Sequence, residues 1–403
     1  MNIAIIGAGA AGLMAAITLR EHRELDVSIY EAQDEAAKKI VASGNGKCNI
    51  TNVEIHADNY VSSHSSFVKP ALSMMSFKKF QKFCMRAAIP LQIRDDAKCY
   101  PLNLEARYVR DALVRYALHL GVKILFKHKV LQIKKEQNHF KILLDTHSTN
   151  ASYLIIATGL SAAPQLGGSD STMIFAKSLN HTTIAPAPAL VGLHTSFPNP
   201  LKMSGVKIDA LVDLVVDSSA IQRARGDLLF TKYGISGLTT LDLSTRAAIA
   251  LKEHKVVKVK IDLLPNLEQQ QIVSILNNLH KAMPNLRVDE LIQSVLPKKL
   301  SPLLLQDIEP KAVDRKLLTK LAHKIKSIEL QIIDTHGFRH AEAASGGVST
   351  EQINSHTMES TIVKRLYFIG EGIDVVGDRG GYNFAWCWAS GYSAALSILA
   401  QRE

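Results

Sequence analysis

Three glycines near the start of the sequence have the spacing of a dinucleotide-binding turn. Gly7, Gly9 and Gly12 form GxGxxG directly after the apolar run NIAII and directly before a helix-forming segment. In this pattern the first glycine makes a tight turn and the second lets the backbone approach a pyrophosphate. The helix that follows presents free N–H groups and the positive end of its dipole to the anion. The motif therefore predicts a phosphate-binding turn.

An acidic residue stands where such a turn needs one. Glu31 follows Gly12 by nineteen residues, at the end of a second apolar run, VSIY. A carboxylate in that place accepts hydrogen bonds from an adenosine ribose, and it favours FAD or NAD over a 2′-phosphorylated nucleotide. Strand, turn, helix, second strand and acid together predict a βαβ unit that binds an adenosine diphosphate. A glycine-rich turn without a ligand is the alternative.

Three later segments favour FAD over NAD as the cofactor. YLIIATG at 153–159 and LYFIGE at 366–371 are strand-like runs that end in glycine turns, and GGYN at 380–383 leads into a helix. The N–H groups of that helix would face the flavin N1 and C2 carbonyl and stabilise the reduced anion; an ordinary helix N-cap is the alternative. No second GxGxxG follows a strand in mid-chain. FAD is the predicted cofactor, with NAD(P)H as a transient reductant.

A polar, glycine-rich segment follows the ribose acid. Residues 39–52, KIVASGNGKCNITN, are too polar for a core and are predicted to form a cofactor-binding loop. SGNGKCNITN, GDLLFTKYGISG, ASGGVS and GEGIDVVGDRGGYNFAWCWASG resemble the signature segments of the BaiN-like family of NAD(P)/FAD-dependent oxidoreductases, some of whose members are labelled aminoacetone oxidases. The resemblance runs through the whole chain in order. Lys47, Leu238 and Ala344 depart from the usual arginine, proline and threonine of the family.

The resemblance implies an architecture and a class of reaction. It implies an FAD domain made from both ends of the chain, interrupted by a β-barrel-like insert that itself carries a helical subdomain. It also implies a flavin-dependent redox reaction, on a substrate that the family leaves poorly defined.

Apolar periodicity predicts the elements that position these motifs. Helical spacing occurs at 67–89, 104–120 and 265–326, strand-like runs at 122–126, 129–133, 140–144 and 153–157, a β-rich stretch at 190–245, and a final helix from about Asn383. The predicted fold is α/β, a two-dinucleotide-binding-type FAD domain with a β-barrel-like insert. The predicted boundaries are 1–189 and 335–403 for the FAD domain, 190–263 and 327–334 for the β-rich insert, and 264–326 for its helical subdomain.

The candidate cofactor-binding residues are drawn from these turns and loops. They are Gly7, Gly9, Ala11, Gly12, Glu31, Ala32, Lys39, Ser43, Gly44, Asn45, Gly46, Cys48, Asn49, Val130, Ala157, Thr158, Gly159, Gly370, Glu371, Asp374, Gly380, Gly381, Tyr382 and Asn383.

Candidates for catalysis are fewer. Cys48 has no second cysteine nearby with which to form a redox disulfide, so a packed or cofactor-adjacent thiol is the alternative. Lys232 and Tyr233 follow the apolar strand DLLF, where side chains project beyond a sheet. We expect them to face the flavin across a domain cleft, as an anion anchor or proton donor; structural packing is the alternative. His336 and His340 are not expected to bind a metal.

Composition limits the remaining possibilities. The chain has 403 residues, 47% hydrophobic and 21% charged, and four cysteines without a CxxC pair. The opening segment lacks the basic region of a secretory signal, so we expect a soluble, cytoplasmic protein without a membrane segment. The formal charge is +10, but the basic pairs in the sequence are scattered, which disfavours a nucleic-acid partner. Nothing in the sequence specifies an oligomeric state.

These observations lead to one functional hypothesis and two alternatives. The sequence predicts an FAD-dependent oxidoreductase that acts on a small organic substrate, with NAD(P)H or the substrate as electron donor. A tRNA-modifying flavoenzyme would need a basic, aromatic-lined groove, and no such stripe is apparent from the sequence. A non-catalytic FAD-binding redox sensor is the second alternative.

Overall fold

The chain divides into two compact units. The computed structural model describes residues 2–94, 96–196, 200–306, 308 and 313–401. Met1–Ala187 and Glu342–Glu403 form one unit, here called the two-segment unit, and Pro188–Ala341 forms the inserted unit. Each unit has its own hydrophobic core.

The first segment of the two-segment unit contains twelve strands and six α-helices among its described residues. The strands are β1 (Asn2–Ile6), β2 (Asp26–Glu31), β3 (Thr51–Asn52), β4 (Tyr60–Val61), β5 (Leu91–Ile93), β6 (Lys98–Pro101), β7 (Lys123–Phe126), β8 (Val130–Lys135), β9 (Phe140–Leu144), β10 (Ser148–Ala151), β11 (Tyr153–Ile156) and β12 (Thr183–Ala189). The helices are α1 (Ala10–His22), α2 (Lys38–Ala42), α3 (Lys69–Met74), α4 (Phe77–Arg86), α5 (Ala106–His119) and α6 (Ser171–Ser178).

The inserted unit contains six strands and six α-helices among its described residues. The strands are β13 (Leu193–Thr195), β14 (Lys207–Val216), β15 (Ser219–Phe230), β16 (Gly234–Ser236), β17 (Val257–Asp262) and β18 (Ile328–Thr335). The helices are α7 (Pro200–Met203), α8 (Leu238–Lys252), α9 (Gln269–Ala282), α10 (Val288–Gln293), α11 (Ser301–Leu305) and α12 (Arg315–Lys326). The second segment of the two-segment unit adds β19 (Ala343–Val348), β20 (Leu366–Phe368), β21 (Val376–Gly377) and α13 (Tyr382–Ala400).

A five-stranded parallel sheet forms the centre of the two-segment unit. Its strand order is β20-β11-β1-β2-β7, so strands from both segments lie side by side. Most side chains of β1 and all four of β11 are buried, as expected for a parallel sheet whose two faces are both covered. Every residue of α1 from Ala10 to Leu19 is buried. The FAD-type α/β fold predicted from the sequence is confirmed.

The two segments meet again where α1 packs against α13. A Cβ added to Gly391 of α13 would lie 2.5 Å from the carbonyl oxygen of Ala11, so glycine is required for this close approach. No helix in the described part of the chain is long and apolar enough to cross a membrane.

The inserted unit is built on a closed antiparallel barrel. The strand order around it is β13-β16-β15-β14-β17-β18, and β18 closes the ring by pairing with β13. The inward-facing residues alternate along β14, where Ala210, Val212 and Leu214 are buried. Buried leucines of α9 to α12, including Leu276 and Leu318, belong to the same core. The barrel-like insert predicted from the sequence is therefore present.

Two predicted elements differ from the structure. The single helical stretch at 67–89 is two helices, because Ser76 is extended, with ψ +155°, and caps α4. The stretch read as β-rich to residue 245 already contains the start of α8 at Leu238, directly after Gly237, whose φ of +90° breaks the preceding strand. Thr239, Thr240 and other β-branched residues gave α8 the composition of a strand.

Candidate cofactor-binding site

The carboxyl ends of four parallel strands are level with one another. Ile6 pairs in register with Ile156 and with Tyr30, and Ile156 pairs with Phe368. The turns that follow these strands therefore emerge at one edge of the sheet, where open α/β folds bind ligands. A cavity of about 380 Å³ lies at this edge.

The first and third glycines of the turn are required by the protein's own packing. Gly7 has φ +104°, and an added Cβ would lie 2.6 Å from the carbonyl oxygen of Ala157. A Cβ on Gly12 would lie 2.1 Å from the carbonyl oxygen of Gly7. Both positions bring strand, turn and helix closer than any side chain allows.

Glycine at the second position, Gly9, is explained differently. Gly9 has an ordinary extended conformation, with φ −76° and ψ −176°, and an added Cβ would meet no atom within 4 Å. Gly9 lines the cavity at the N-terminus of α1. The protein leaves space at this point that a bound pyrophosphate, approached closely by backbone N–H groups, would fill.

The predicted ribose acid lies beside the glycine turn. The carboxylate of Glu31 accepts a hydrogen bond from the N–H of Ala8 at 2.7 Å and another from the N–H of Gln33 at 2.8 Å. Glu31 and Gln33 both line the cavity. These two bonds fix the carboxylate at the edge of the turn and leave lone pairs for ribose hydroxyls.

Another part of the cavity wall, beyond the glycine turn and Glu31, comes from β8, from the turn after β11 and from a short 3₁₀ turn. The predicted binding residues Val130, Ala157 and Gly159 line the cavity, and Gly167 and Gly168 join them directly after the 3₁₀ turn at Pro164–Leu166. Sequence reasoning missed Gly167 and Gly168, although LGG after a proline is a turn signal that can be recognised.

An ion pair spans the two segments at the far end of the cavity. The Lys39 ammonium lies 2.6 Å from Glu371, whose other oxygen accepts the N–H of Ala344 at 2.9 Å. Gly370 has φ +67°, and its carbonyl accepts the indole N–H of Trp386 at 3.0 Å. Burial, reinforced by the nearby Glu371 charge, raises the pKa of the Cys387 thiol in this wall to about 12.

The loop at 43–49 has an unusual backbone. Gly44, Asn45, Gly46 and Cys48 have φ values of +57°, +53°, +81° and +57°. The left-handed region disfavours non-glycine residues, so Asn45 and Cys48 are held there at a cost. The Oδ1 atom of Asn49 is buried, and no described group donates a hydrogen bond to it.

This loop continues into contacts with the N-terminus of α13. A Cβ on Gly381, where φ is +96°, would lie 2.5 Å from the carbonyl group of Thr51. The Asn52 side chain donates to the carbonyl of Gly380 at 3.1 Å, and Trp388 donates to the carbonyl of Ile50 at 2.8 Å. The predicted N-terminal loop and the predicted C-terminal glycine pair therefore lie together.

Half of the predicted binding residues line the cavity. These are Gly7, Gly9, Ala11, Glu31, Ala32, Lys39, Val130, Ala157, Thr158, Gly159, Gly370 and Glu371. The others do not line it: Gly12, Ser43, Gly44, Asn45, Gly46, Cys48, Asn49, Asp374, Gly380, Gly381, Tyr382 and Asn383.

Two of the residues outside the cavity have structural bonds of their own. The Asp374 carboxylate accepts the backbone N–H of Ser63 at 2.9 Å and its hydroxyl at 2.6 Å. The Asn383 side chain accepts the N–H of Gly377 and donates to its carbonyl, both at 2.8 Å.

Comparison with known proteins places this arrangement in a family. Residues 1–397 match the model described as HI0933-like protein Rossmann domain. The chain belongs to the HI0933-like family. It is 33% identical to the 3-dehydro-bile acid delta(4,6)-reductase of Clostridium scindens over 98% of both chains. It is also 32% identical to the ribosomal RNA dihydrouridine synthase of Haemophilus influenzae, over 98% of both chains. The Escherichia coli protein of the same name is 29% identical, over 99% of this chain and 98% of that one.

This HI0933-like protein is an FAD-dependent oxidoreductase. The residues present fit the cofactor in two independent ways. Gly9 faces open space in the cavity wall, and Glu31 is fixed beside the turn.

Cys48 has the properties of a packed thiol. Its side chain is fully buried, and burial raises its pKa to about 12, so it is protonated at neutral pH. A thiol in this state is a poor nucleophile. Cys84 and Cys99 are also buried, and desolvation raises the pKa of each.

Lys232 and Tyr233 occupy the turn between β15 and β16 in the inserted unit. The Tyr233 ring stacks on His336 at 3.7 Å between centroids and lies 4.9 Å from the His194 ring. His336 also accepts or donates a 2.9 Å hydrogen bond with His194. Lys232 is exposed. That these residues face the flavin stays a prediction.

Proposed function

We propose that this FAD-dependent oxidoreductase reduces a carbon–carbon double bond conjugated to a carbonyl group in a small organic substrate. The observation that carries the proposal is the full-length similarity to a protein named as a 3-dehydro-bile acid delta(4,6)-reductase. The 3-oxo group and the Δ4 and Δ6 double bonds in that name form one conjugated system.

The chemistry named for the other relatives is of the same kind. Dihydrouridine differs from uridine by two hydrogens at C5 and C6, a double bond conjugated to the C4 carbonyl. Reduction of the C5–C6 bond of uracil, or of a 3-oxo-Δ4 bond, would place a hydride on the carbon β to the carbonyl and a proton on the α carbon. At the Δ6 bond of the conjugated dienone the hydride would go to the δ carbon, because the carbonyl acts through the Δ4 bond. Reduction of a conjugated double bond is therefore the chemistry that the names of the relatives share.

Each part of the two-segment unit has a proposed role. A bound FAD, once reduced by NAD(P)H, would supply the hydride. We assign the Gly7–Gly12 turn and Glu31 to the adenosine diphosphate half. We assign the ion pair of Lys39 and Glu371 to the middle of the cofactor, and the loop at 43–49 with the N-terminus of α13 to the flavin. The positive end of the α13 dipole stabilises negative charge there.

RNA is a second candidate for the substrate. The specific observation in its favour is that two relatives, 32% and 29% identical over nearly their full length, are named ribosomal RNA dihydrouridine synthases. A uridine base would undergo the same reduction as the small enone. The choice between the two concerns the substrate and leaves the reaction type unchanged.

An anaerobic reduction assay tests the reaction. The FAD-loaded protein is reduced with NADH or NADPH and mixed separately with a 3-oxo-Δ4 steroid, with cyclohexenone and with a uridine-containing RNA oligonucleotide. The expected result is reoxidation of the flavin and a product two hydrogens heavier by mass spectrometry.

The controls are the saturated ketones, which lack the double bond and should leave the flavin reduced. Gain of two hydrogens in the RNA alone would favour the second candidate. The proposal would be overturned if none of the three gave a reduced product and the flavin were reoxidised, with formation of hydrogen peroxide, only when air was then admitted.

A further inference from the structure

A stretch of the two-segment unit carries basic residues without any acid. Residues 59–94 contain Lys69, Lys78, Lys79, Lys82, Arg86 and Arg94 and no aspartate or glutamate. Aromatic and apolar residues separate these cations, so in the linear sequence they look like the scattered basic pairs found elsewhere.

Helix α4 gathers four of these cations on one face. Lys78, Lys79, Lys82 and Arg86 lie within about 100° of one another around the helix axis, and all four are exposed. Phe80, Phe83 and Cys84 occupy the opposite face and are buried. We call these four cations the α4 basic face.

A second cavity opens beside this face, away from the residues of the cofactor cavity. It has a volume of about 500 Å³, and Lys79, Lys82 and Arg86 line it. None of its lining residues also lines the cavity at the carboxyl edge of the sheet. Its size is that of a ligand site.

The charges in this cavity are unbalanced. Glu21 is its one acidic lining residue. The Arg86 guanidinium donates to both Glu21 oxygens, at 2.6 and 2.9 Å, and the Tyr116 hydroxyl donates to the same carboxylate at 2.6 Å. Glu21 is thereby engaged, and its charge is offset by Arg86. Within the described part of the chain, no carboxylate forms an ion pair with Lys79 or Lys82.

The cavity also contains an aromatic surface. The Lys79 ammonium lies 5.9 Å from the centre of the Tyr392 ring, and Tyr392 is half-buried in the wall. The Lys79 ammonium also donates a hydrogen bond to the carbonyl of Met74 at 2.8 Å, which leaves its charge unneutralised. Exposed cations beside an aromatic ring are a combination found where single-stranded nucleic acid binds, because the cations contact phosphates and the ring stacks on a base.

We propose that the α4 basic face and its cavity bind the phosphodiester backbone of a single strand of nucleic acid. The inference uses only the resting protein and does not depend on the reduction proposed above. A nucleic-acid-binding α4 basic face would supply the basic, aromatic-lined groove that an RNA substrate requires. It would therefore favour RNA over a small enone as the substrate.

The experiment compares two matched triple variants of the FAD-loaded protein. Lys78→Gln, Lys79→Gln and Lys82→Gln remove three charges from α4. The control variant removes three charges from α12, whose lysines are spaced about one helical turn apart. Its substitutions are Lys316→Gln, Lys320→Gln and Lys324→Gln. The probe is a fluorescent RNA of about 16 nucleotides. Its anisotropy is measured with each protein between about 50 and 200 mM salt.

The α4 variant should bind at least about tenfold more weakly at the lower salt, and its salt slope should fall by about 2, since each lost contact removes about 0.7. The α12 variant should bind as the unsubstituted protein does. Unchanged flavin absorbance in both variants verifies that they are folded.

Two results would overturn the proposal. Equal losses in both variants would show that binding follows net charge alone. Retention of the unsubstituted protein by vesicles of phosphatidylserine and phosphatidylcholine, with no binding of RNA, would assign the face to a membrane surface instead.

Discussion

The two glycine-rich segments of the cofactor site are built on different principles. In the Gly7–Gly12 turn, two of the three glycines are fixed by contacts within the protein, and the third faces open space. In the loop at 43–49, two residues with side chains, Asn45 and Cys48, adopt the left-handed conformation that glycine prefers. Asn49 adds a buried oxygen that lacks a donor among the described groups.

The conformation of the Gly7–Gly12 turn is determined by contacts within the protein. The conformation of the loop at 43–49 is one that we expect a ligand to stabilise. The first turn is in its final form without FAD, because backbone contacts determine it. The second loop keeps a strained backbone and an unpaired acceptor, each of which costs about 1 kcal/mol or more. We expect a bound cofactor to offset these costs in the loop at 43–49.

The largest expected effects come from exchanging the two kinds of glycine. Gly12→Ala should lower the free energy of unfolding of the apoprotein by about 3 kcal/mol or more, because the new Cβ would lie 2.1 Å from a carbonyl oxygen. Gly9→Val should change it by less than about 1 kcal/mol and yet abolish FAD retention. Urea denaturation and flavin absorbance after gel filtration measure the two properties.

Each glycine variant serves as the control for the other. A Gly9→Val protein that purifies with a full complement of FAD would show that the open space at this position is not where the pyrophosphate binds.

Asn49 allows the second loop to be tested in a similar way. Asn49→Ala removes a buried acceptor that lacks a donor, so the apoprotein should be about 1 kcal/mol more stable, while FAD should bind more weakly. Thermal unfolding with and without added FAD measures both changes. Thr51→Val, next to the loop, is the comparison for a simple packing effect. If Asn49→Ala lowers apoprotein stability and leaves FAD affinity unchanged, the side chain is structural.

The smallest expected effect concerns the Cys48 thiol. Burial raises its pKa from 9.0 to about 12, whereas in the unfolded chain it ionises near its ordinary value. Between these values the unfolded state binds fewer protons, so stability falls as the pH rises above about 9, by up to about 1.4 kcal/mol per pH unit. Cys48→Ala should therefore lose about 1 kcal/mol less than the unsubstituted protein between pH 9 and 10, because the unfolded thiol is already half ionised at pH 9.

Urea denaturation at the two pH values gives this difference. Met14→Leu, a buried change without an ionisable group, should show the same pH dependence as the unsubstituted protein. An unaltered dependence in Cys48→Ala would mean that Cys48 already ionises near its ordinary pKa in the folded state.

The parts of the site that could be predicted from sequence are those with local causes. The βαβ unit, Gly7, Gly9 and Glu31 follow from a pattern within 30 residues, and the structure places them around one cavity. Gly167 and Gly168 were missed because their place depends on how β11 and β8 lie in space. The α4 basic face was missed for a similar reason, since only the helix brings Lys78 and Lys82 onto one side. α8 was missed because its threonines resemble those of a strand.

The contact between α1 and α13 also orders events during synthesis. Gly391 meets Ala11 across 380 residues of chain, and Gly370 and Glu371, which line the cofactor cavity, follow the inserted unit. A ribosome therefore releases the whole barrel unit, with its separate core, before it releases the last part of the cavity wall. The nascent chain must keep α1, which is buried over most of its length, from aggregating during that interval. The cavity wall is complete only once α13, which contributes Phe384 and Cys387 to it, has been synthesised.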